Sequence, residues 1–157
     1  NPAWTPSPGQ YIFSNPLFDA SDVLVGARTS TSAITDLSQL PLGVTVGTVL
    51  GFTYPALDQR FQDQSLLRDD AMDQERVLMK LGRGRTPYAV VNSRVLGWFK
   101  RQSGSEALSE WSLPMARADF YCGVLKNGAL GKPQLVVDAI NRLKATGQID
   151  RILQNYQ

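Results

Sequence analysis

The sequence predicts an α/β fold with a largely parallel sheet. Three observations carry the prediction. Short apolar runs, Val23 to Ala27, Val44 to Leu50 and Tyr88 to Val91, have the length and valine content of strands buried on both faces. Segments with helical spacing follow the second and third of these runs. Two amphipathic helices close the chain.

In chain order, residues 1 to 21 are rich in Pro, Ser and Asn and read as irregular. Val23 to Ala27 is the first strand. Thr29 to Ser38 is polar, with Asp36 placed to cap a single turn. Val44 to Leu50 is the second strand and ends at Gly51. A helix is predicted over Tyr54 to Gln62, with Tyr54, Leu57 and Phe61 as its apolar stripe. Ser65 to Leu67 is a weak strand. Asp70 or Asp73 can cap a helix running to Leu81, stopped by Gly82 and Gly84. Tyr88 to Val91 is the third buried strand. Ser93 to Lys100 is a short helix with Val95, Leu96 and Phe99 inward, and Ser103 to Gly104 is a loop. Phe120 to Leu125 is the fourth strand. Pro133 suits a first helical turn and Gly147 a left-handed stop. The closing helices present Val136, Ile140 and Leu143, then Ile149, Ile152, Leu153 and Tyr156.

Composition narrows the function. The chain has 157 residues, is 43% hydrophobic and 19% charged, and carries a net charge of +2. That is a globular balance with no electrostatic footprint for nucleic acid. Lys80, Arg83 and Arg85 fall at a predicted helix C-terminus, where cations complement the dipole. The absence of histidine removes histidine-based nucleophile systems and histidine metal sites. No cofactor, metal site or catalytic residue is expected. Cys122, the single cysteine, reads as a small buried apolar side chain. No apolar run approaches the roughly 20 residues of a membrane span. With no methionine start and no signal peptide, the chain reads as a processed or truncated product.

Two strand ends are candidate sites, because ligands of open parallel sheets bind beyond the carboxyl ends of the strands. At Gly51-Phe52-Thr53-Tyr54, glycine allows a sharp turn and Thr53 can cap the next helix, whose N-terminus would favour an anion. The alternative is an ordinary helix cap. Asn92 ends the third strand and can hydrogen-bond a ligand or merely cap the next helix, but it cannot neutralise an ammonium ion. Trp98, Phe99 and Trp111 read as core. Trp4 and Tyr11 are ambiguous. Asp69, Asp70 and Asp73 read as a solvated run.

A series of motifs in order resembles the periplasmic solute-binding proteins of ABC transporters, type II, in the branch that binds polar amino acids. Phe13-Ser14-Asn15-Pro16-Leu17-Phe18 is similar to that family's Phe-Ser-x-Pro-Tyr. Asp36 to Leu40 and Gly43 to Gly47 resemble its Leu-x-x-Leu and Gly-x-x-Val-Gly-Val. Gly51-Phe52-Thr53 resembles its Gly-Thr-Thr turn, and Leu81 to Asn92 its Leu-x-x-Gly-Arg-x-Asp-Ala-x-x-x-Asp. Phe120 to Val124 resembles the strand that returns through the hinge, and the closing helices complete the series.

The resemblance implies two α/β lobes joined by a hinge, with a small polar solute in the interlobe cleft. Residues 27–120 would form the second lobe. Residues 1–26 and 121–157 would form an incomplete first lobe, whose uncovered helices could self-associate. Gly51, Phe52, Thr53, Tyr54 and Asn92 would line the site, with Thr53 contacting the ligand and Phe52 and Tyr54 forming a wall. The partner would be a membrane permease, and the location periplasmic. Two departures matter. The family's carboxylate-gripping arginine corresponds to Ser7 or Pro8, and its ammonium-pairing aspartate to Asn92. Losing both charged contacts weakens a free amino acid by roughly two to four decades. A sensor domain of the same fold, a periplasmic dehydratase, and a purely structural module are the other readings.

Overall fold

The computed structural model describes residues 1–28, 33–102, 105–129 and 131–154. The predicted loop at Ser103 to Gly104, Tyr156, and part of the polar stretch after Thr29 lie outside the described residues, as does the side chain of Trp4. The chain forms two compact units. One comprises Asn1–Ala20 and Arg117–Gln157, the other Ser21–Ala116. Strands β2 (Phe18–Ala27) and β6 (Leu108–Phe120) carry the chain from one unit into the other.

The larger unit is built on a five-stranded sheet ordered β4-β3-β5-β2-β6. Strand β3 (Val44–Val49) is an interior strand, parallel to both β4 (Leu66–Ala71) and the central strand β5 (Tyr88–Asn92). Strand β2 runs antiparallel to β5, with Val23 opposite Val91 and Val25 opposite Ala89. The period of two sends alternate side chains to opposite faces. Val23, Val25, Val49 and Val91 meet helices α2 (Gln74–Gly82) and α3 (Ser93–Gln102) through Val77, Leu78, Leu81 and Leu96. On the other face, Leu24, Val46, Leu66 and Val90 pack with Tyr54, Leu57 and Leu40. Gly47 sits under α2. A Cβ there would lie 3.2 Å from Val77 Cγ1 and 3.3 Å from Thr86 Oγ1, so glycine lets helix and sheet approach.

Several expectations need correction. Helix α1 spans only Asp58–Gln62, because residues 54–57 form a turn instead. The N–H groups of Leu57 and Asp58 both reach the Tyr54 carbonyl. Helix α2 is capped by Asp73, whose carboxylate accepts from the Arg76 N–H at 2.8 Å, so Asp70 is released for another role. The predicted strand Phe120 to Leu125 is in fact the end of β6 plus a separate strand, β7 (Gly123–Leu125). The 13-residue β6 escaped prediction because it is an edge strand. It alternates polar and apolar side chains around Pro114, with Trp111, Leu113 and Met115 turned toward the second core face.

In the smaller unit, β1 (Tyr11–Phe13) pairs antiparallel with β7. Helices α4 (Pro133–Ala145) and α5 (Gln148–Gln154) follow, separated at Gly147 with φ +71°. The buried side of α4 centres on Val137 rather than on Val136 and Leu143. Leu143 is exposed, while Asn141, one turn beyond Val137, accepts the Asn15 N–H at 2.8 Å. Ile152 of α5 is also exposed. Phe18 and Phe120 stack at 5.0 Å, and Arg117 pairs with Asp19 at 2.8 Å. Cys122 is half-buried rather than buried, and its N–H donates to Ser14 Oγ.

Candidate functional site

Strands β3 and β5 are neighbours and parallel, with Val46 level with Tyr88. Counting four residues along each strand puts position 50 level with Asn92. The Gly51 turn and Asn92 therefore emerge at the same edge of the sheet, both within the larger unit.

Gly51 has φ +79°, and no atom lies within 4 Å of where its Cβ would stand. The left-handed backbone, not lack of room, is what calls for glycine. The Phe52 N–H then closes the turn onto the Val49 carbonyl at 3.1 Å. Phe52 and Thr53 are exposed. Tyr54, expected on a ligand wall, is only 3% exposed and lies in the core with Leu24, Leu57 and Val90. Its hydroxyl accepts the Val49 N–H at 3.0 Å, so the phenol anchors the strand end from below. Burial raises its pKa, and the charges of Asp22 and Asp70 add to that against opposing contributions from the Val49 hydrogen bond and Arg68. Thr53 does not cap the helix. The Asp58 carboxylate receives the Tyr54 N–H at 2.9 Å, which puts a negative charge where an anion-binding helix end was expected.

Arg68 of β4 braces this turn. Its guanidinium donates to the carbonyl oxygens of Phe52 and Val49, each at 3.2 Å, and to Asp70 Oδ1 at 2.8 Å. It also lies over the rings of Tyr54 and Phe61, 5.5 and 5.4 Å from the centroids. Asp70 accepts in addition from the buried Thr48 hydroxyl at 2.7 Å. Burial pushes the Asp70 pKa up, but the bonds from Thr48 and Arg68 and the charges of Arg68 and Lys80 outweigh it and hold the carboxyl below its ordinary value. Asp69 pairs with Lys80. The three aspartates read as a solvated run each have a distinct structural partner. Arg68 escaped the sequence reading because its targets depend on the pairing of β4 with β3.

Asn92 is buried, and its side chain does cap. Its Oδ1 accepts the Arg94 N–H at 3.0 Å, while its own N–H donates to Gln74 Oε1 at 2.7 Å. The Nδ2 group makes no hydrogen bond among the described residues, which leaves both of its N–H donors uncommitted. Directly across the ladder from Asn92 stands Asp22 of β2. Sequence reading overlooked it. The available signal was a carboxylate at the head of an otherwise apolar strand, Val23 to Ala27. Asp22 is half-buried, and burial raises its pKa. Trp111 packs beside the second core face, 6.4 Å from Tyr88. Chemically, the edge offers hydrogen-bonding groups, one carboxylate without a protein partner among the described residues and a tightly held turn. Among the described residues there is no cluster of acids, cysteine or histidine fit to hold a metal.

The fold is that of the type II periplasmic binding proteins, a mixed α/β architecture with mostly parallel strands. Among solved structures, the chain is similar to an ancestral arginine-binding protein bound to arginine, with a TM-score of 0.74 and 20% identity, covering 94% of this chain and 65% of that one. It is similar to the GluR0 ligand-binding core in complex with L-glutamate, with a TM-score of 0.72 and 15% identity, covering 97% and 67%. The arginine-, lysine-, histidine-binding protein ArtJ from Geobacillus stearothermophilus matches with a TM-score of 0.69 and 17% identity, covering 94% and 63%. The chain thus spans about two thirds of the length of the structures it matches. An ancestral amino-acid-binding protein described as a precursor of cyclohexadienyl dehydratase has the same fold, with a TM-score of 0.73 and 16% identity. No family profile matches the chain, and no curated protein matches it. No helix among the described residues is long and apolar enough to cross a membrane.

Proposed function

We propose that the chain is the solute-binding component of an ABC transporter, acting in the periplasm and delivering a small polar solute to a membrane permease. The observation that carries this reading is the convergence of the Gly51 turn and Asn92 on one carboxyl edge of a parallel sheet, in a fold shared with amino-acid-binding structures. In this reading Thr53 contacts the solute through its hydroxyl and N–H, Phe52 shields it, and Asn92 Nδ2 donates to it. Tyr54 acts from behind the site, by holding the end of β3. Residues 27–120 act as the second lobe, and residues 1–26 with 121–157 as part of the first. The likeness to the GluR0 ligand-binding core supports a second reading, a sensor domain of the same fold.

A thermal-shift screen against small polar metabolites tests the proposal. A ligand at a hundred times its Kd stabilises by about 2.7 kcal/mol. For a domain of this size that raises Tm by roughly 5–10 °C. No shift with any polar solute would argue for a purely structural module. Turnover of a bound solute would move the protein to the enzymes.

A further inference from the structure

We infer that Asp22 is the anionic contact for a cationic group, an ammonium or guanidinium, on a small solute held at the sheet edge beside Asn92. The inference rests on the solute-binding reading and names the class of solute.

The carboxylates near this edge separate into two kinds. Asp70 is held by Thr48 and Arg68, Asp58 by the Tyr54 N–H, Asp69 by Lys80, and Asp73 by the first turn of α2. The Asp22 carboxylate has neither a hydrogen bond nor an ion pair among the described residues, although the residue is half-buried. A carboxylate losing water without a partner is disfavoured. A cationic ligand group would supply the missing charge, and carboxylates perturbed in this way cluster at binding sites.

Placement gives the site its composition. Asp22 and Asn92 are directly opposed in an antiparallel ladder, so their side chains share a face about 5 Å apart at Cβ. The same face continues inward through Leu24 and Val90 to Tyr54. The Asp22 charge acts on the Tyr54 hydroxyl. Asn92 Oδ1 is already taken by the Arg94 N–H, so Asp22 supplies the acceptor and Asn92 Nδ2 the donor. Arg68 is committed to Asp70 and two carbonyl oxygens, and offers no free charge to an anion. A positively charged donor with a neutral acceptor nearby fits this pair.

Calorimetry at pH 7.5 with L-arginine, putrescine and 1,4-butanediol tests the assignment. Putrescine and the diol have the same length and differ in charge. Wild type should bind at least one of the two cations tenfold or more tighter than the diol. Asp22→Asn should weaken that cation about ten- to hundredfold, while Asp22→Glu keeps part of the affinity. Melting curves of both variants check folding. The carboxyl pKa of Asp22, followed by carbon NMR, should fall when the bound cation is added. Unchanged cation affinity in a folded Asp22→Asn protein, or a diol that binds as tightly as the better of the two cations, overturns the assignment. Should a neutral solute bind in a Thr53-dependent but Asp22-independent way, the Asp22 role fails and the solute-binding reading stands. If neither these probes nor a wider metabolite panel binds, both fail.

Discussion

Arg68 donates to the carbonyl oxygen of Phe52 at 3.2 Å and so ties an edge strand to the turn that bears the candidate site. The same guanidinium holds Val49 and Asp70 and covers two aromatic rings. The conformation of the Gly51 turn is thus set by a side chain sixteen residues away in sequence.

Arg68→Ala should therefore cost about 2–3 kcal/mol in urea unfolding, since several charged hydrogen bonds are lost together. Hydrogen exchange at Phe52 and Thr53 should quicken more than exchange in the centre of β5. Arg68→Lys should recover little, because an ammonium cannot bond two carbonyls and a carboxylate in one plane. Equal exchange at the turn in wild type and Arg68→Ala would remove the bracing role.

Asp70 makes stability depend on acid in one direction. Its folded pKa is depressed, so its contribution is complete above the unfolded value near 3.8 and is lost as pH falls through the folded value. Asp70→Ala should cost about 2 kcal/mol at pH 7, partly because the buried Thr48 hydroxyl loses its acceptor. The difference from wild type should shrink in strong acid, measured as the urea midpoint against pH.

Asp22 works the other way. Its folded pKa is raised, so the folded state holds the proton more tightly. Stability is complete below 3.8 and declines as pH rises through the folded pKa. Asp22→Asn should therefore melt higher than wild type at pH 7 without ligand, and the gap should close near pH 3. A lower melting temperature for Asp22→Asn at pH 7 would mean that the carboxylate has a protein partner.

Thr53→Val removes a hydroxyl from an exposed position. Unfolding free energy should stay within about 0.5 kcal/mol of wild type. Solute affinity should drop about tenfold or more. Parallel loss of stability and binding would instead make Thr53 a structural residue.

Gly47→Ala should destabilise by about 1–3 kcal/mol, because the new methyl presses on Val77 and Thr86 at 3.2 and 3.3 Å. Trimming Val77 to Ala in the same chain should recover part of that loss, which a double-mutant cycle measures.

The parts legible in the sequence are those whose burial is symmetric. Val23 to Ala27 and Tyr88 to Val91 are apolar throughout because sheet neighbours and core residues surround them. Gly51 and Asn92 are legible because each stands where such a run stops. Strand β6 is not, since its Pro114 argues locally against a strand although its side chains alternate. The start of α1 misled for a related reason. Tyr54 and Leu57 have helical spacing, but both are buried from a turn. Asp22 and Arg68 were invisible because their importance lies in register, Asp22 against Asn92 and Arg68 beside the β3 turn, and no local spacing encodes register.

Both margins of the five-stranded sheet bear residues that discourage a stray chain from adding itself. Strand β4 carries Arg68, Asp69 and Asp70 in succession, and β6 interrupts its run of N–H groups at Pro114. Charge on one flank and a missing donor on the other are features that oppose the edge-to-edge pairing from which fibrils nucleate.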